Sequence, residues 1–167
     1  MSLQAPWRMD YIRSLGPAGK TDGCFLCDAA AVAESRRPDL LVLWRTELSI
    51  VMLNRFPYAN GHVLVAPVTH LAEWEELSAG QMADIGVQTQ AVLKILRRAV
   101  SAQGFNVGMN LGRVAGAGVP GHLHQHIVPR WGGDVNFMSV VGEVRVIPQA
   151  LSQLHAEFLK WKAELAV

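Results

Sequence analysis

Three of the chain's six histidines alternate with other residues in one short stretch. They are His122, His124 and His126, with Leu123 and Gln125 between them. Side chains two residues apart share a face of an extended strand, so the stretch predicts a row of three imidazoles roughly 7 Å apart at their bases. Burying such groups without partners is costly. The row therefore indicates a site that holds a metal ion or attacks and binds a phosphate group.

The chain has two cysteines, Cys24 and Cys27, in a C-x-x-C spacing. In a reducing compartment this spacing is typical of a metal site or a redox pair, and the alternative is two small buried hydrophobic residues. A thioredoxin-like pair opens a helix directly after a strand, whereas residues 16–23 have the composition of a loop. The redox alternative is therefore disfavoured.

A glycine-rich segment at residues 116–121 matches the G-x-G-x-x-G pattern of dinucleotide-binding loops. That pattern binds a pyrophosphate only where it opens a helix, because the helix N-terminus holds the anion. Here the segment contains Pro120 and leads into the histidine stretch, so we reject dinucleotide binding of that kind. The glycines either let backbone N–H groups approach a phosphate or form a mobile loop.

Four segments have the composition of β-strands. Turn residues at 54–61 separate the first two and predict antiparallel neighbours. The predicted strands are residues 44–53, residues 62–66, residues 105–111 and the histidine stretch.

One long helix is predicted between these strands. Ser78 and Gln81 form a capping-box pair at its start, and Gly104 is expected to end it. Its apolar positions at helical spacing are Met82, Ile85, Thr89, Val92, Leu93, Leu96 and Val100. Strands that arrive in pairs around one long helix indicate the α+β class.

Two shorter helices flank this region. The first is expected at residues 29–34, stopped by Pro38, and the last begins at Pro148. The apolar stripe of the last helix is Leu151, Leu154, Phe158, Trp161 and Leu165. His155 lies beside that stripe, and we expect it at the surface or its boundary.

The composition limits the class of protein. The 167 residues are 50% hydrophobic and 17% charged, which is typical of one ordered globular domain. A net charge of +1 argues against a large nucleic-acid surface. The longest apolar run, Val63–Val68, is too short to cross a bilayer, and residues 1–10 lack a signal-type stretch. We therefore expect a cytoplasmic protein without a membrane or nucleic-acid partner.

Several motifs resemble those of the histidine triad family. Residues 122–128 resemble its signature, in which histidines alternate with hydrophobic residues. Residues 53–57 and 60–67 resemble its upstream asparagine, turn and second strand, and residues 106–110 with the glycine segment resemble its strand and phosphate loop. Gln125 departs from the hydrophobic pattern. On a strand it points away from the imidazoles, so we expect altered packing and retained chemistry.

Other segments resemble a bacterial branch of this family, usually described as diadenosine tetraphosphate phosphorylases or hydrolases. These segments are residues 5–9, 24–27, 129–138 and 146–149. The resemblance implies a HIT-like fold with an antiparallel sheet, one long central helix and a C-terminal helix. It implies a single domain over residues 1–167, with an N-terminal extension and loop at 1–23 and a C-terminal tail and helix at 139–167. Family members are commonly dimers, so a homodimer or larger homo-oligomer is expected.

The resemblance also implies roles for the site residues. His124 would be the nucleophile that forms a nucleotidyl–histidine intermediate, and His126 would contact the phosphate or the bridging oxygen. Asn110 and the backbone at Gly118 would orient phosphate oxygens. Asn54 and His62 would belong to the nucleotide pocket. Their structural alternatives are turn formation for the asparagine and a hydrogen-bonded buried ring for the histidine.

A zinc site is implied by the same resemblance. Its four ligands would be Cys24, Cys27, His70 and His122, a set that suits a closed structural site. The alternative is that His122 orients His124 and the cysteines have no metal role. No organic cofactor is expected.

The expected activity is cleavage of dinucleoside polyphosphates, with an adenine nucleotide substrate and phosphate or water as acceptor. The enzyme alternatives are hydrolysis of nucleoside phosphoramidates and nucleotidyl transfer to a sugar phosphate. A different class is a metalloenzyme whose metal is held by the three triad histidines. A further class is a nucleotide-binding protein without turnover.

Overall fold

The computed structural model describes residues 23–134 and 149–167, and its centre is a five-stranded antiparallel sheet. The strand order is β1-β2-β3-β5-β4. The strands are β1 (Val42–Arg45), β2 (Ser49–Leu53), β3 (Val63–Pro67), β4 (Gly104–Met109) and β5 (Gln125–Arg130). The central position of β2 and β3 agrees with their composition, because every residue of both strands is buried.

The segment predicted as one strand at residues 44–53 forms two strands. A turn separates β1 from β2, in which the Thr46 hydroxyl accepts hydrogen bonds from the backbone N–H groups of Leu48 and Ser49 at 3.1 and 2.9 Å. A threonine side chain that binds the backbone two or three residues ahead favours a turn over a continuing strand. The prediction of antiparallel neighbours around residues 54–61 is confirmed for β2 and β3.

The long helix α2 (Ala79–Ala99) begins as predicted, since Ser78 and Gln81 form a reciprocal capping box. Its predicted end was wrong. The helix stops at Ala99, because Ser101 has a left-handed backbone with φ of 51°, and Gly104 is already the first residue of β4. Together with the sheet and a C-terminal helix, α2 confirms the predicted α+β class.

The C-terminal helix α3 (Leu151–Leu165) packs against α2, and its predicted stripe faces the core from Leu154 onward, through Phe158, Trp161 and Leu165. Pro148, its predicted start, lies outside the described residues. The surface position expected for His155 was wrong. Its ring is buried and its Nε2 donates to the Val42 carbonyl at 2.8 Å, because α3 crosses the edge strand β1 there.

The N-terminal part of the description contains the short helix α1 (Phe25–Ala31) and a 3₁₀ segment at Glu34–Leu40. The predicted helix at residues 29–34 was misplaced. Val32, with an extended backbone, ends α1, and Pro38 lies inside the 3₁₀ segment that follows.

The sheet has two differently covered faces. One row across it runs through the register partners Val42, Met52, Leu64, His126 and Gly108. Directly paired residues of antiparallel strands share a face, and α1 packs on this one. Helices α2 and α3 cover the opposite face. The face that carries His126 therefore has one short helix over its β1–β3 end.

Within residues 23–134 and 149–167, no helix has both the length and the apolar character needed to cross a membrane.

Candidate active site and metal centre

The three triad histidines separate into two groups. The rings of His124 and His126 lie 4.9 Å apart between centroids, whereas the ring of His122 packs edge-on against His70 at 5.0 Å. The prediction of one strand with a single imidazole row was wrong in its first half, since β5 begins at Gln125. Residues before it make other contacts, such as the 2.7 Å hydrogen bond from the Leu123 N–H to the Leu71 carbonyl.

His124 has a fixed tautomer. Its Nδ1 lies 2.8 Å from the backbone carbonyl oxygen of His122, and a carbonyl can only accept, so Nδ1 carries the proton. The lone pair is therefore on Nε2. Burial lowers the pKa of His124, and the hydrogen bond to the carbonyl raises it in part. The ring lines the cavity described below and is suited to act as a neutral nucleophile.

His126 has the opposite tautomer, which is fixed through His62. The Tyr58 backbone N–H donates to His62 Nδ1 at 3.1 Å, so the proton of His62 is on Nε2. That Nε2–H donates to His126 Nδ1 at 3.0 Å. A neutral His126 must then carry its own proton on Nε2. The pair of cavity-lining imidazoles thus contains one lone-pair nitrogen and one N–H donor.

Asn54 and His62 meet at the turn after β2. The Asn54 side-chain oxygen Oδ1 accepts from the Phe56 N–H at 2.9 Å, and its Nδ2 lies 3.3 Å from His62 Nδ1. Asn54 therefore forms the turn and also lines the cavity. His62 is 1% exposed and lies behind His126, as a buried ring whose Nε2 is hydrogen-bonded to His126.

A cavity of about 490 Å³ lies on the α1 face of the sheet. Its lining includes the predicted site residues Asn54, Asn110, Gly118, His124 and His126. Several apolar side chains line it as well, and these are Phe25, Leu40, Met52, Phe56, Leu64 and Val119. The combination of an apolar wall with a few convergent polar groups is typical of a small-molecule site.

The glycine segment borders this cavity as a loop. Asn110 Nδ2 donates to the Gly116 carbonyl at 3.3 Å, and Gly116 has a left-handed backbone with φ of 89°. No helix follows the segment before β5, which agrees with the rejection of a dinucleotide-binding loop. The arrangement brings Gly118 and Asn110 to the cavity wall beside the two imidazoles.

Gln125 points to the other face of the sheet, as predicted. Its Nε2 donates to the Thr89 hydroxyl of α2 at 2.6 Å, and that hydroxyl donates to the Ile85 carbonyl at 2.7 Å. The Gln125 amide, which departs from the hydrophobic pattern, therefore has a hydrogen-bond partner on α2.

A second cluster contains Cys24, Cys27, His70 and His122, whose ligand atoms all lie within 4.8 Å of one another. Cys24 Sγ and His122 Nδ1 are 3.2 Å apart, as are Cys27 Sγ and His70 Nδ1. Cys27 Sγ and His122 Nδ1 are 3.5 Å apart. With zinc–sulfur bonds of about 2.3 Å and zinc–nitrogen bonds of about 2.0 Å, a tetrahedral site separates these atom types by about 3.5 Å. The cluster could bind a metal ion.

The protonation state of His122 agrees with this. Its Nε2 donates to the Pro67 carbonyl at 2.9 Å, so the lone pair on Nδ1 faces the sulfurs. Burial raises the pKa of the Cys27 thiol, and the neighbouring Cys24 raises it further. A bound cation would stabilise the thiolate forms of these two side chains. Among the described residues, the three triad histidines do not form a metal-binding group of their own.

Comparison with protein families matches residues 36–133 to the HIT domain. The chain belongs to the HIT family. One relative is the AP-4-A phosphorylase of Mycobacterium tuberculosis. It is 37% identical over 154 residues, which are 89% of this chain and 77% of that protein. The asymmetrical bis(5'-nucleosyl)-tetraphosphatase of Schizosaccharomyces pombe is 35% identical over 53% of this chain and 48% of its own. The prediction of a HIT-family enzyme is confirmed by these relatives.

The fold is also that of solved HIT structures. A zinc-bound histidine triad family protein from Mycobacterium smegmatis superposes with a TM-score of 0.68, covering 87% of this chain and 96% of that one at 24% identity. This likeness confirms the predicted HIT-like fold. The matched HIT domain starts after Cys24 and Cys27, so this chain's cluster draws two of its four residues from outside the matched segment.

Sequence reasoning missed other parts of this HIT site. Phe25 and Asp28 of α1 line the cavity, and Tyr58 fixes the tautomer of His62 through its backbone. The C-x-x-C motif could have pointed to Phe25 and Asp28, because α1 begins within this motif. No side-chain signal exists for a backbone N–H donor.

Proposed function

We propose that this HIT protein cleaves dinucleoside polyphosphates through a nucleotidyl intermediate on His124. The proposal rests on one observation, the pair of opposite tautomers at His124 and His126 on the wall of one cavity. The names of the two enzyme relatives support the substrate class.

The first chemical step follows from the tautomers. His124 Nε2 attacks the α-phosphorus, and the bond from that phosphorus to the bridging oxygen breaks. The electron pair stays on the departing polyphosphate, and the His126 Nε2–H donates to its oxygen. Donors that are already in place where charge develops are effective in phosphoryl transfer. In the second step phosphate or water attacks the same phosphorus, and the phosphorus–nitrogen bond breaks to restore His124.

The cavity suits a nucleotide in its layout. Met52 and His126 belong to one row and are separated by strand β3, which places them about 10 Å apart across the sheet. The apolar end under α1 therefore accepts a base while the α-phosphate lies at the imidazoles. Asn110 and the Gly118 backbone then border the phosphates.

The Cys24, Cys27, His70 and His122 cluster is proposed as a structural zinc site. When bound, zinc would supply four coordinate bonds that join α1, the segment after β3 and the segment before β5. With four protein ligands the site is closed, which is the pattern of structural zinc and not of catalytic zinc. In this proposal His122 serves the nucleophile through its backbone carbonyl, which holds His124 Nδ1.

Incubation with diadenosine tetraphosphate, with and without inorganic phosphate, tests the activity. ADP plus ATP formed only with phosphate identifies a phosphorylase, and AMP plus ATP identifies a hydrolase. Rapid quenching at alkaline pH, where phosphohistidines survive, should reveal a nucleotidyl adduct that maps to His124 by mass spectrometry. Binding without cleavage or adduct would contradict the proposal and favour a binding protein. An adduct formed only from nucleoside phosphoramidates, or transfer to a sugar phosphate, would keep His124 and change the substrate.

A further inference from the structure

One carboxylate, that of Asp28, lines the cavity among the residues described there. It lies three positions after Phe25 on α1, so both side chains project from the same side of this helix. Within the described residues, the Asp28 carboxylate makes no hydrogen bond and no ion pair to another side chain. It is exposed, and the substrate binding proposed above would bring a ligand to it.

The position of Asp28 separates it from the imidazoles. Helix α1 packs on Met52 and Leu64, at the β2–β3 end of the row that leads to His126. Like charges repel, so a carboxylate beside the polyphosphate would weaken binding. At the α1 end it faces the nucleoside part of the ligand, together with the Phe25 ring.

The chemistry of a carboxylate is selective toward bases. An ionised carboxylate only accepts hydrogen bonds, while adenine, cytosine and guanine present an exocyclic amino group as donor. Uracil, thymine and hypoxanthine have keto oxygens and no exocyclic amino group, so they offer the carboxylate no such donor. An aromatic ring such as that of Phe25 stacks on any base and does not discriminate.

We propose that Asp28 accepts a hydrogen bond from the exocyclic amino group of the bound nucleobase and makes the pocket prefer an amino-bearing base. This rests on the proposed function only in that a nucleotide occupies the cavity with its phosphate at His124. Asp28 is then a specificity-determining residue, while stacking on the apolar wall supplies affinity for any base.

Calorimetric titration of the full-length protein with AMP and with purine riboside 5'-monophosphate tests this, because the two ligands differ only in the 6-amino group. We expect the unmodified protein to bind AMP about tenfold more tightly, in line with a charge-assisted hydrogen bond that is partly exposed. Asp28→Ala should weaken AMP binding by about the same factor and leave purine riboside monophosphate unchanged.

Two further variants separate specificity from structure. Asp28→Asn keeps an acceptor oxygen without the charge and should lower the preference without abolishing it. Glu34→Ala removes an exposed carboxylate of the neighbouring 3₁₀ segment, outside the cavity, and should leave the preference unchanged. If Asp28→Ala does not fold, the ratio in the unmodified protein and its reduction in Asp28→Asn decide the matter.

Equal affinity of the unmodified protein for the two ligands would overturn the proposal, as would an equal loss for both ligands in Asp28→Ala. The outcome is independent of the cleavage experiment. A base preference without a His124 adduct would contradict the proposed activity and support the role of Asp28. Cleavage with an adduct but without a base preference would support the proposed activity and contradict the role of Asp28.

Discussion

His124 and His126 carry their ring protons on opposite nitrogens, although their ring centroids lie 4.9 Å apart. The difference originates outside the two rings. The His122 carbonyl holds the proton of His124 on Nδ1, and the chain from Tyr58 N–H through His62 leaves the proton of His126 on Nε2. Two chemically identical side chains are thereby suited to the separate roles that we propose for them, nucleophile and donor.

His124→Ala should abolish cleavage of diadenosine tetraphosphate, with kcat/KM reduced by at least about 10³-fold, since no other described side chain presents a lone pair at that position. Zinc content, measured by elemental analysis, should stay equal to that of the unmodified protein. The combined readout also tests the metalloenzyme alternative. Loss of metal together with activity would support a metal held by the triad itself and contradict covalent catalysis.

His62→Phe should slow the reaction although His62 does not line the cavity. The variant keeps an aromatic ring beside Tyr58 but removes the donor to His126 Nδ1, so the His126 proton is no longer confined to Nε2. We expect kcat/KM to fall about 10- to 100-fold with diadenosine tetraphosphate.

A nitrophenyl ester of AMP distinguishes this positioning role from a general structural defect. Its leaving group departs without proton donation, so the loss in His62→Phe should be much smaller with this substrate. An equal loss with both substrates would show that His62 merely supports the fold of the pocket.

The sequence predicted which residues line the cavity better than it predicted their geometry. Alternation of histidines placed His124 and His126 on one cavity wall. It did not reveal that β5 starts at Gln125, because this depends on contacts with Leu71, 52 residues before Leu123 in the chain. The burial of His155 likewise depends on where α3 crosses β1. Local patterns cannot carry such long-range information, and neither tautomer is visible without the carbonyl and N–H partners that set it.

The candidate metal site shows the same limit of prediction from local sequence patterns. The C-x-x-C spacing pointed to a metal, but two of the four residues come from distant parts of the chain, His70 and His122. Their inclusion came from family resemblance and not from spacing. The structure brings all four ligand atoms within 4.8 Å of one another because β3 ends next to the start of β5.

Removal of the proposed zinc should destabilise the fold and loosen α1. In Cys27→Ser, we expect loss of zinc and a fall in the unfolding free energy of at least about 3 kcal/mol, a fraction of the roughly 10–16 kcal/mol with which zinc-finger peptides bind zinc. Hydrogen exchange should become faster in α1 before it does in α2, because α1 is short, contains Cys27 and has Cys24 as its N-cap.

Ala31→Ser is a matched control for that change, since it alters an exposed residue of the same helix and removes no ligand. It should keep its zinc and its stability. If Cys27→Ser were as stable as this control and bound no less zinc, the cluster would not be a structural metal site.

The Gln125–Thr89 contact should matter for stability and not for catalysis. Thr89→Val removes the acceptor of the Gln125 amide between β5 and α2, and we expect the unfolding free energy to fall by about 1–2 kcal/mol. Gln125→Leu should cost less than about 1 kcal/mol, because the Thr89 hydroxyl keeps its bond to the Ile85 carbonyl. Cleavage rates should stay near those of the unmodified protein.

The double variant decides whether the two side chains act as a pair. Once Gln125 is leucine, no amide is left without its acceptor, so Thr89→Val should cost much less than it does in the unmodified protein. Gln90→Leu, an exposed change on α2, controls for added apolar surface. Denaturant unfolding of the unmodified protein, the two single variants and the double variant gives the coupling energy. Strictly additive losses would mean that Gln125 does not depend on Thr89, and that the glutamine is tolerated at this triad position for another reason than its contact with α2.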